Sequence, residues 1–176
     1  MYPILFATSF HPRMHCIPSF ESKCVDWLPI DIAATVISEL LFPQDESAKS
    51  ATAIQEKEKN DTYTVHNIVN PNPIPWISLI SMLRSSAGTH VEEVPMTEWV
   101  RRLTALADEG LAASEIPGLR LLGFFERMAS EEEGSKDFET GRSREHSRAL
   151  RECGAVCREW IDANVKVWKG DGFLIV

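Results

Sequence analysis

Apolar residues recur along the chain at helical spacing, separated by a few short extended runs. The clearest case is CVDWLPIDIAATVISELLF, from Cys24 to Phe42. Val25 to Ile30 predicts a short extended segment, with Pro29 tolerable only near its end. Asp31 is a good candidate cap, because its carboxylate can accept bonds from the first-turn amides of a helix. A helix is therefore predicted to follow and to end at Phe42-Pro43. Its apolar stripe consists of Ile32, Val36, Ile37, Leu40 and Leu41.

The rest of the chain is mostly helical in pattern. The run TYTVHNIVN, residues 62–70, is rich in β-branched side chains and predicts a strand, which the three prolines between 71 and 75 interrupt. Val91 to Val94 predicts a second short strand, and Thr97 is the expected cap of the helix after it. Further helices are predicted over 76–83, 116–128, 145–152 and 156–167. The pattern indicates a helix-rich α/β chain with too few strands for a full parallel sheet.

The length of 176 residues fits one domain. We expect residues 1–176 to form a single partial domain. Residues 44–62 are polar and of mixed charge and predict an exposed loop. Residues 130–143 carry an acidic run and predict a second loop.

The charge of the chain excludes some functions. The formal net charge is −8, whereas a nucleic-acid binder needs a basic surface. No apolar run approaches the ~20 residues of a membrane helix, and the apolar start lacks the basic flank of a signal peptide. We therefore expect a cytoplasmic protein with neither nucleic acid nor membrane as a partner.

Motifs for chemistry are scarce. The nine glycines form no Gly-x-Gly-x-x-Gly turn and no P-loop, and neither tyrosine has a lysine four residues later. His11 and His15 have a metal-like separation, but Pro12 disfavours a helix across them. His66 is interpreted as a structural histidine bonded to backbone. The four cysteines show no zinc spacing and are interpreted as buried or idle thiols. No catalytic, cofactor-binding or metal residue is predicted within this chain.

Five tryptophans, at positions 27, 76, 99, 160 and 168, lie on otherwise apolar segments. Packing in the core and lining of a pocket both fit such residues, since an indole buries a large area. The sequence leaves these two interpretations open.

Several motifs follow one another along the chain in an order that is typical of one protein family. They are YPILF, CVDWLPIDIAATVISELL, TYTVHNIVNPNPIPW, PMTEWVRRL, LRLLGFFE and ETGRSREHSRALRECGAV, followed by Trp160 and Trp168. In this order the chain resembles the C-terminal part of a thioester reductase domain, over nearly its whole length. That domain occurs in fungal adenylate-forming reductases and in nonribosomal peptide and polyketide synthetases, and it belongs to the extended short-chain dehydrogenase/reductase group.

The resemblance implies a division of labour. An N-terminal Rossmann half of the complete enzyme would bind NADPH and carry the Tyr-x-x-x-Lys pair, both absent here. This chain would be the substrate-binding portion, receiving an acyl group as a thioester on a phosphopantetheine carrier domain and releasing it as aldehyde or alcohol. The best candidates for substrate contact are Trp27 and Pro29. The extended run Val25–Ile30 would then be a late strand beside the dinucleotide-binding sheet.

Three hypotheses follow. In the first, the chain is a truncated thioester reductase domain that is inactive alone. In the second, it is a non-catalytic interaction module that binds a carrier protein or a separately encoded reductase half, because large apolar patches mark interfaces. In the third, it is an incomplete gene product without a stable fold.

Overall fold

The computed structural model describes residues 2–21, 23–42, 64–130 and 138–175. They are mostly helical, as the apolar pattern predicted, and they contain four short strands. The helices are α1 (Tyr2–Phe10), α2 (Ile30–Leu41), α3 (Trp76–Ala87), α4 (Met96–Asp108), α5 (Leu122–Ser130), α6 (Gly141–His146), α7 (Arg148–Glu152) and α8 (Arg158–Gly170), with a 3₁₀ helix at Pro117–Leu121. The strands are β1 (Cys16–Ser19), β2 (Cys24–Val25), β3 (Ile74–Pro75) and β4 (Glu92–Pro95). None of the described helices is long and apolar enough to cross a membrane.

Three helices begin directly after a proline. Pro29, Pro75 and Pro95 hold extended backbone, with ψ near 145°, at the N-caps of α2, α3 and α4. The proline ring fixes φ at a value that both a strand end and a helix start accept, so the chain passes from one to the other without a side-chain cap. Two predictions were therefore wrong: Asp31 and Thr97 are not caps but lie in the first turns of α2 and α4.

The chain divides into two compact units, which we describe separately. The first comprises residues 1–25, 74–136 and 157–176. Its β1 and β4 pair in parallel, with Ile17 opposite Glu93. The strand predicted at Val91–Val94 is thus confirmed, displaced by one residue. Around this ladder the core is built from Phe6, Trp76, Trp99, Leu103 and Phe125, each at most 2% exposed.

Helix α1 in this unit was not predicted as an element. Its last six residues, Leu5 to Phe10, are all buried. Because the helix is surrounded on every side, its sequence shows no polar face and hence no helical period. Prolines were also expected to prevent regular structure after residue 70, but Ile74 pairs antiparallel with Val25. A proline at the end of so short a strand leaves this pairing intact.

The second unit comprises residues 26–73 and 137–156. Helix α2 packs there against α6 and α7. Val36 is fully buried, whereas Ile37 and Leu41 are 46% and 66% exposed. Within the apolar stripe predicted for α2, only Val36 is therefore buried, and the other residues are half-buried or exposed.

The strand predicted over 62–70 is wrong for the residues that the structure describes. Residues 64–70 form no ladder. The amide of Asn70 donates instead to the carbonyl oxygen of Asp26 at 2.8 Å. Strand propensity needs a partner strand to take effect, and this segment pairs with irregular backbone.

The two predicted loops coincide only in part with described residues. Residues 44–62 lie wholly outside the described ranges, as do 131–137. Within the loop predicted over 130–143, Phe138 to Thr140 are non-helical, and Gly141 to Ser143 lie in the first turn of α6.

Candidate functional site

The segment between β2 and α2 carries the two residues predicted to contact substrate. Residues 26–29 have no regular secondary structure, and both Trp27 and Pro29 are half-buried. Pro29 is the N-cap of α2, so the segment leads directly into that helix. A half-buried indole beside a rigid proline offers the apolar contact surface that ligand sites use.

Asn70 holds this segment in place. Its side chain is 2% exposed, and Nδ2 donates to the carbonyl oxygens of Trp27 at 3.1 Å and Gly154 at 2.9 Å. Its Oδ1 accepts from the amide of Asn72 at 2.9 Å, and its own amide donates to Asp26. One buried amide therefore joins three stretches of chain, and every polar atom of its side chain is bonded.

A second contact extends this clamp. Nδ2 of Asn72 donates to the carbonyl oxygen of Cys153 at 2.7 Å, next to the Gly154 carbonyl that Asn70 binds. The sequence analysis missed both asparagines. The sequence Asn70-Pro71-Asn72 could have indicated their role. Prolines prevent regular backbone hydrogen bonding, so nearby side-chain amides bond the backbone instead.

Glu39 on α2 holds the start of α7 in the second unit. Its Oε2 accepts from the hydroxyl of Ser147 at 2.6 Å and from the amide of Ala149 at 3.0 Å. These bonds, the Ser147 bond above all, hold the pKa of Glu39 below its usual value. The Ser147 oxygen in turn accepts from the amide of Leu150, which makes it the N-cap of α7. A carboxylate on α2 thus sets the position where α7 begins.

The histidine at position 66 differs from its prediction. It lies outside any strand, and its buried Nδ1 has no hydrogen-bond partner among the described residues. Its ring meets that of His146 edge to face, with centroids 5.5 Å apart. The Nδ1 atom of His146 lies 2.9 Å from the carbonyl oxygen of Arg142. The interpretation of His66 as bonded to backbone is therefore wrong at this nitrogen.

The tryptophans separate into two groups. Trp76 and Trp99 are core residues with bonded indole N–H groups: Trp76 donates to the Pro18 carbonyl at 2.9 Å, and Trp99 donates to Ser9 Oγ at 3.0 Å. The other three, at positions 27, 160 and 168, are half-buried. For Trp76 and Trp99 the choice between core and pocket is settled in favour of the core.

The described residues support neither a metal site nor a reactive thiol. No group of three or more His, Cys, Asp or Glu residues there could hold a metal ion. The four cysteines are free, and Cys16 and Cys153 are buried. Burial raises the pKa of both thiols, which lowers their thiolate fraction.

The glycines with positive φ do not stand where a dinucleotide phosphate would bind. Phosphates bind where a glycine turn opens a helix. The glycines with positive φ are Gly88, Gly110 and Gly172, and each follows the C-terminal end of a helix. Those positions present carbonyl oxygens rather than amide N–H groups, so they disfavour an anion.

No protein-family model matches the chain. The chain is 26% identical over 174 residues to the non-reducing polyketide synthase tazA of Aspergillus terreus. This match covers 96% of the chain and 6% of the relative. It is 31% identical over 140 residues to 3-methylorcinaldehyde synthase of Sarocladium schorii, covering 76% of this chain and 5% of the relative.

An adenylate-forming reductase of Aspergillus terreus is 28% identical over 157 residues, covering 86% of this chain and 13% of the relative. The chain thus spans only a small part of each relative. These matches confirm the resemblance drawn from the motifs. The chain is a homologue of a segment found in fungal non-reducing polyketide synthases and in an adenylate-forming reductase, and it resembles the C-terminal part of a thioester reductase domain.

Proposed function

We propose that this chain forms the substrate-binding portion of an NADPH-dependent thioester reductase. The complete enzyme releases an acyl group from a phosphopantetheine carrier domain as an aldehyde or an alcohol. The observation that carries the proposal is the homology to both a reductase and an aldehyde synthase over most of this chain. The two relatives share this segment although their names describe different enzymes, which favours a reductive release step common to both.

The cofactor is assigned to residues other than these 176. The chain has neither a Gly-rich turn nor a Tyr-x-x-x-Lys pair, and the described glycines with positive φ follow the C-terminal ends of helices, where phosphate is disfavoured. A dinucleotide-binding half, on the same polypeptide or on another, would bind NADPH. Without that half the chain has no reductase activity.

Within this portion, Trp27 and Pro29 are proposed to contact the acyl group. Both residues are half-buried, and Asn70 holds their segment through a hydrogen bond to the Trp27 carbonyl oxygen. A segment fixed by this bond can position an acyl thioester with little loss of conformational freedom on binding.

The test is reconstitution. The purified chain is combined with the dinucleotide-binding half of the related adenylate-forming reductase, and NADPH oxidation is followed with an acyl-pantetheine thioester. We expect no turnover by the chain alone and turnover by the mixture. Trp27→Ala should raise KM about tenfold, as for loss of about 1.4 kcal/mol of binding. The matched control is Trp160→Ala, which also truncates a half-buried indole. Turnover by the chain alone would contradict the division of labour, and equal KM for both variants would remove Trp27 from the site.

A second candidate function rests on a different observation. Helix α2 exposes apolar residues at positions i, i+7 and i+11, namely Ile30 (85%), Ile37 (46%) and Leu41 (66%). They share one face of the helix, and aligned exposed apolar residues mark interaction surfaces. In this alternative the chain is a non-catalytic module that binds a carrier protein or a separate reductase half. Ile37→Lys with Leu41→Lys would then abolish binding to the reductase half in sedimentation experiments, whereas unchanged binding would exclude this surface.

A further inference from the structure

Two buried polar atoms of the second unit have no hydrogen-bond partner within the described ranges: Nδ1 of His66 and Oγ of Ser143. Ser143 is only 1% exposed. Burying a polar atom without a partner costs free energy, so folded proteins contain few such atoms. A third such atom, Nε of Arg84 in the first unit, belongs to a guanidinium group whose other nitrogens bond Glu93 and Val91. The two atoms of the second unit therefore need an explanation of their own.

These two atoms are carried by elements that contact each other. Ser143 and His146 are three residues apart on α6, so they lie on the same side of that helix. The ring of His146 meets that of His66 edge to face, with centroids 5.5 Å apart. The His66 ring therefore packs against the helix that carries Ser143. We call His66 and Ser143 the polar pair.

Exposed apolar side chains lie close to the polar pair along the chain. Nδ2 of Asn67 donates to the carbonyl oxygen of Glu139 at 2.8 Å, which joins the segment of His66 to the residues that lead into α6. Val65 on the first of these segments and Phe138 on the second are both exposed. Ligand sites combine apolar surface with a few polar groups that fix the orientation of the ligand. The surroundings of His66 have this composition.

The chemistry of the polar pair indicates which kind of group it would bind. An imidazole nitrogen donates a hydrogen bond in one tautomer and accepts one in the other, and a serine hydroxyl can do either. Neither side chain carries a permanent charge. The pair therefore favours a neutral group that both donates and accepts, such as a hydroxyl or an amide, over an ion.

We propose that His66 and Ser143 bind a hydroxyl or amide group of the acyl thioester and thereby help to select the substrate. This inference rests on the proposed function and adds a hydrogen-bonding site to the apolar contact at Trp27 and Pro29. His66 is four residues before Asn70, so their backbones are at most ~14 Å apart. Asn70 in turn bonds the Trp27 carbonyl oxygen. One thioester with a flexible pantetheine arm can therefore contact both places.

The first measurement compares two buried serines by thermal unfolding of the whole chain. Ser143→Ala removes a hydroxyl without a partner, so Tm should stay unchanged or rise. Ser147→Ala is the matched control, because Ser147 is equally buried but its hydroxyl bonds Glu39 and Leu150. This variant should lower Tm. A decrease in Tm for Ser143→Ala would show that its hydroxyl is already bonded in the free protein, and it would overturn the proposal.

The second measurement is calorimetric binding of the whole chain to benzoyl-pantetheine and to para-hydroxybenzoyl-pantetheine. Ser143→Ala and His66→Phe should each raise Kd about tenfold for at least one probe, as expected when one hydrogen bond to the ligand is lost. Ser143→Thr keeps the hydroxyl and should bind like the wild type. An equal rise for both probes assigns the bound group to the pantetheine arm, whereas a rise for the hydroxybenzoyl probe alone assigns it to the acyl hydroxyl. Unchanged Kd values for both probes in both variants, or no binding by the wild type, would overturn the proposal.

Kinetics of the reconstituted enzyme separate this proposal from the proposed function. The two variants should raise KM for the affected thioester and leave kcat nearly unchanged, because such a bond holds the substrate and the transition state equally. Wild-type turnover with an unchanged KM in both variants would refute the role of the polar pair alone. Binding of the probes without any wild-type turnover would count against the reductase and leave the polar pair in place.

Discussion

Replacing Asn70 by alanine is expected to release the segment that carries Trp27 and Pro29. The side chain makes three hydrogen bonds, two as donor through Nδ2 and one as acceptor through Oδ1. Each such bond contributes about 0.5–1.5 kcal/mol net, and the partners left behind are partly buried. Asn70→Ala should therefore lower the free energy of unfolding by about 2–4 kcal/mol.

The assay is urea unfolding followed by circular dichroism, together with amide hydrogen exchange. Asn72→Ala is the control, because it removes one side-chain bond at an exposed position and should cost about 1 kcal/mol. Asn70→Asp gives a finer distinction. It keeps the acceptor for the Asn72 amide, so exchange of that amide should stay slow, but it loses both donors to the carbonyl oxygens of Trp27 and Gly154.

The result that would refute this reasoning is a change below about 0.5 kcal/mol for Asn70→Ala, the size of an ordinary surface substitution. An Asn72→Ala variant as destabilised as Asn70→Ala would also contradict it, because the two residues differ in bond number and burial. Fast exchange at Asn72 in Asn70→Asp would show that the Oδ1 contact is unimportant.

The remaining predictions concern the first unit. Two arginines hold the pKa of Glu98 to about 2, below its ordinary 4.5. The stabilisation from the Glu98 carboxylate is therefore present above pH 4.5 and is lost as the pH falls through 2. Glu98→Gln should lower Tm at pH 7 but not at pH 2. Gly118→Ala should destabilise by about 1–3 kcal/mol, because its new Cβ would lie 2.6 Å from the Thr8 hydroxyl. The double variant Gly118→Ala with Thr8→Ala should recover part of that loss in a double-mutant cycle. Trp99→Phe should lower the free energy of unfolding in urea by about 1–3 kcal/mol, because two buried acceptors lose their indole donor. A smaller decrease than that of Trp160→Phe would contradict the assignment of Trp99 to the core.

Local pattern predicted most of the helices well. The apolar stripe of α4, with Trp99, Val100, Leu103 and Leu106, is buried as its spacing indicates. Helix α2 ends at Leu41, with Phe42 as its C-cap, just before the Pro43 that marks this end in the sequence. The order of the motifs also pointed to the right group of relatives, because the order and spacing of motifs are still recognisable at an identity of 26–31%.

The errors share one physical cause: the sequence does not state what a segment will contact. Residues 64–70 have strand propensity, but no strand of the described chain lies beside them, and side-chain amides take over their bonding. Helix α1 has no polar face because the tertiary structure surrounds it. Asp31 has the chemistry of a cap, but Pro29 already sets the backbone at the helix start.

By itself, then, the sequence determined the helix-rich class, the helix ends marked by proline, the buried stripe of α4 and the relationship to reductases. Only the tertiary structure decided that Asn70 is the buried amide joining Trp27 to Gly154, and that Glu39 on α2 sets the start of α7. Asn70 and Gly154 are 84 positions apart, and Glu39 and Ala149 are 110 apart. Periodicity and capping act within a few residues, whereas contacts at such separations depend on how the whole chain packs.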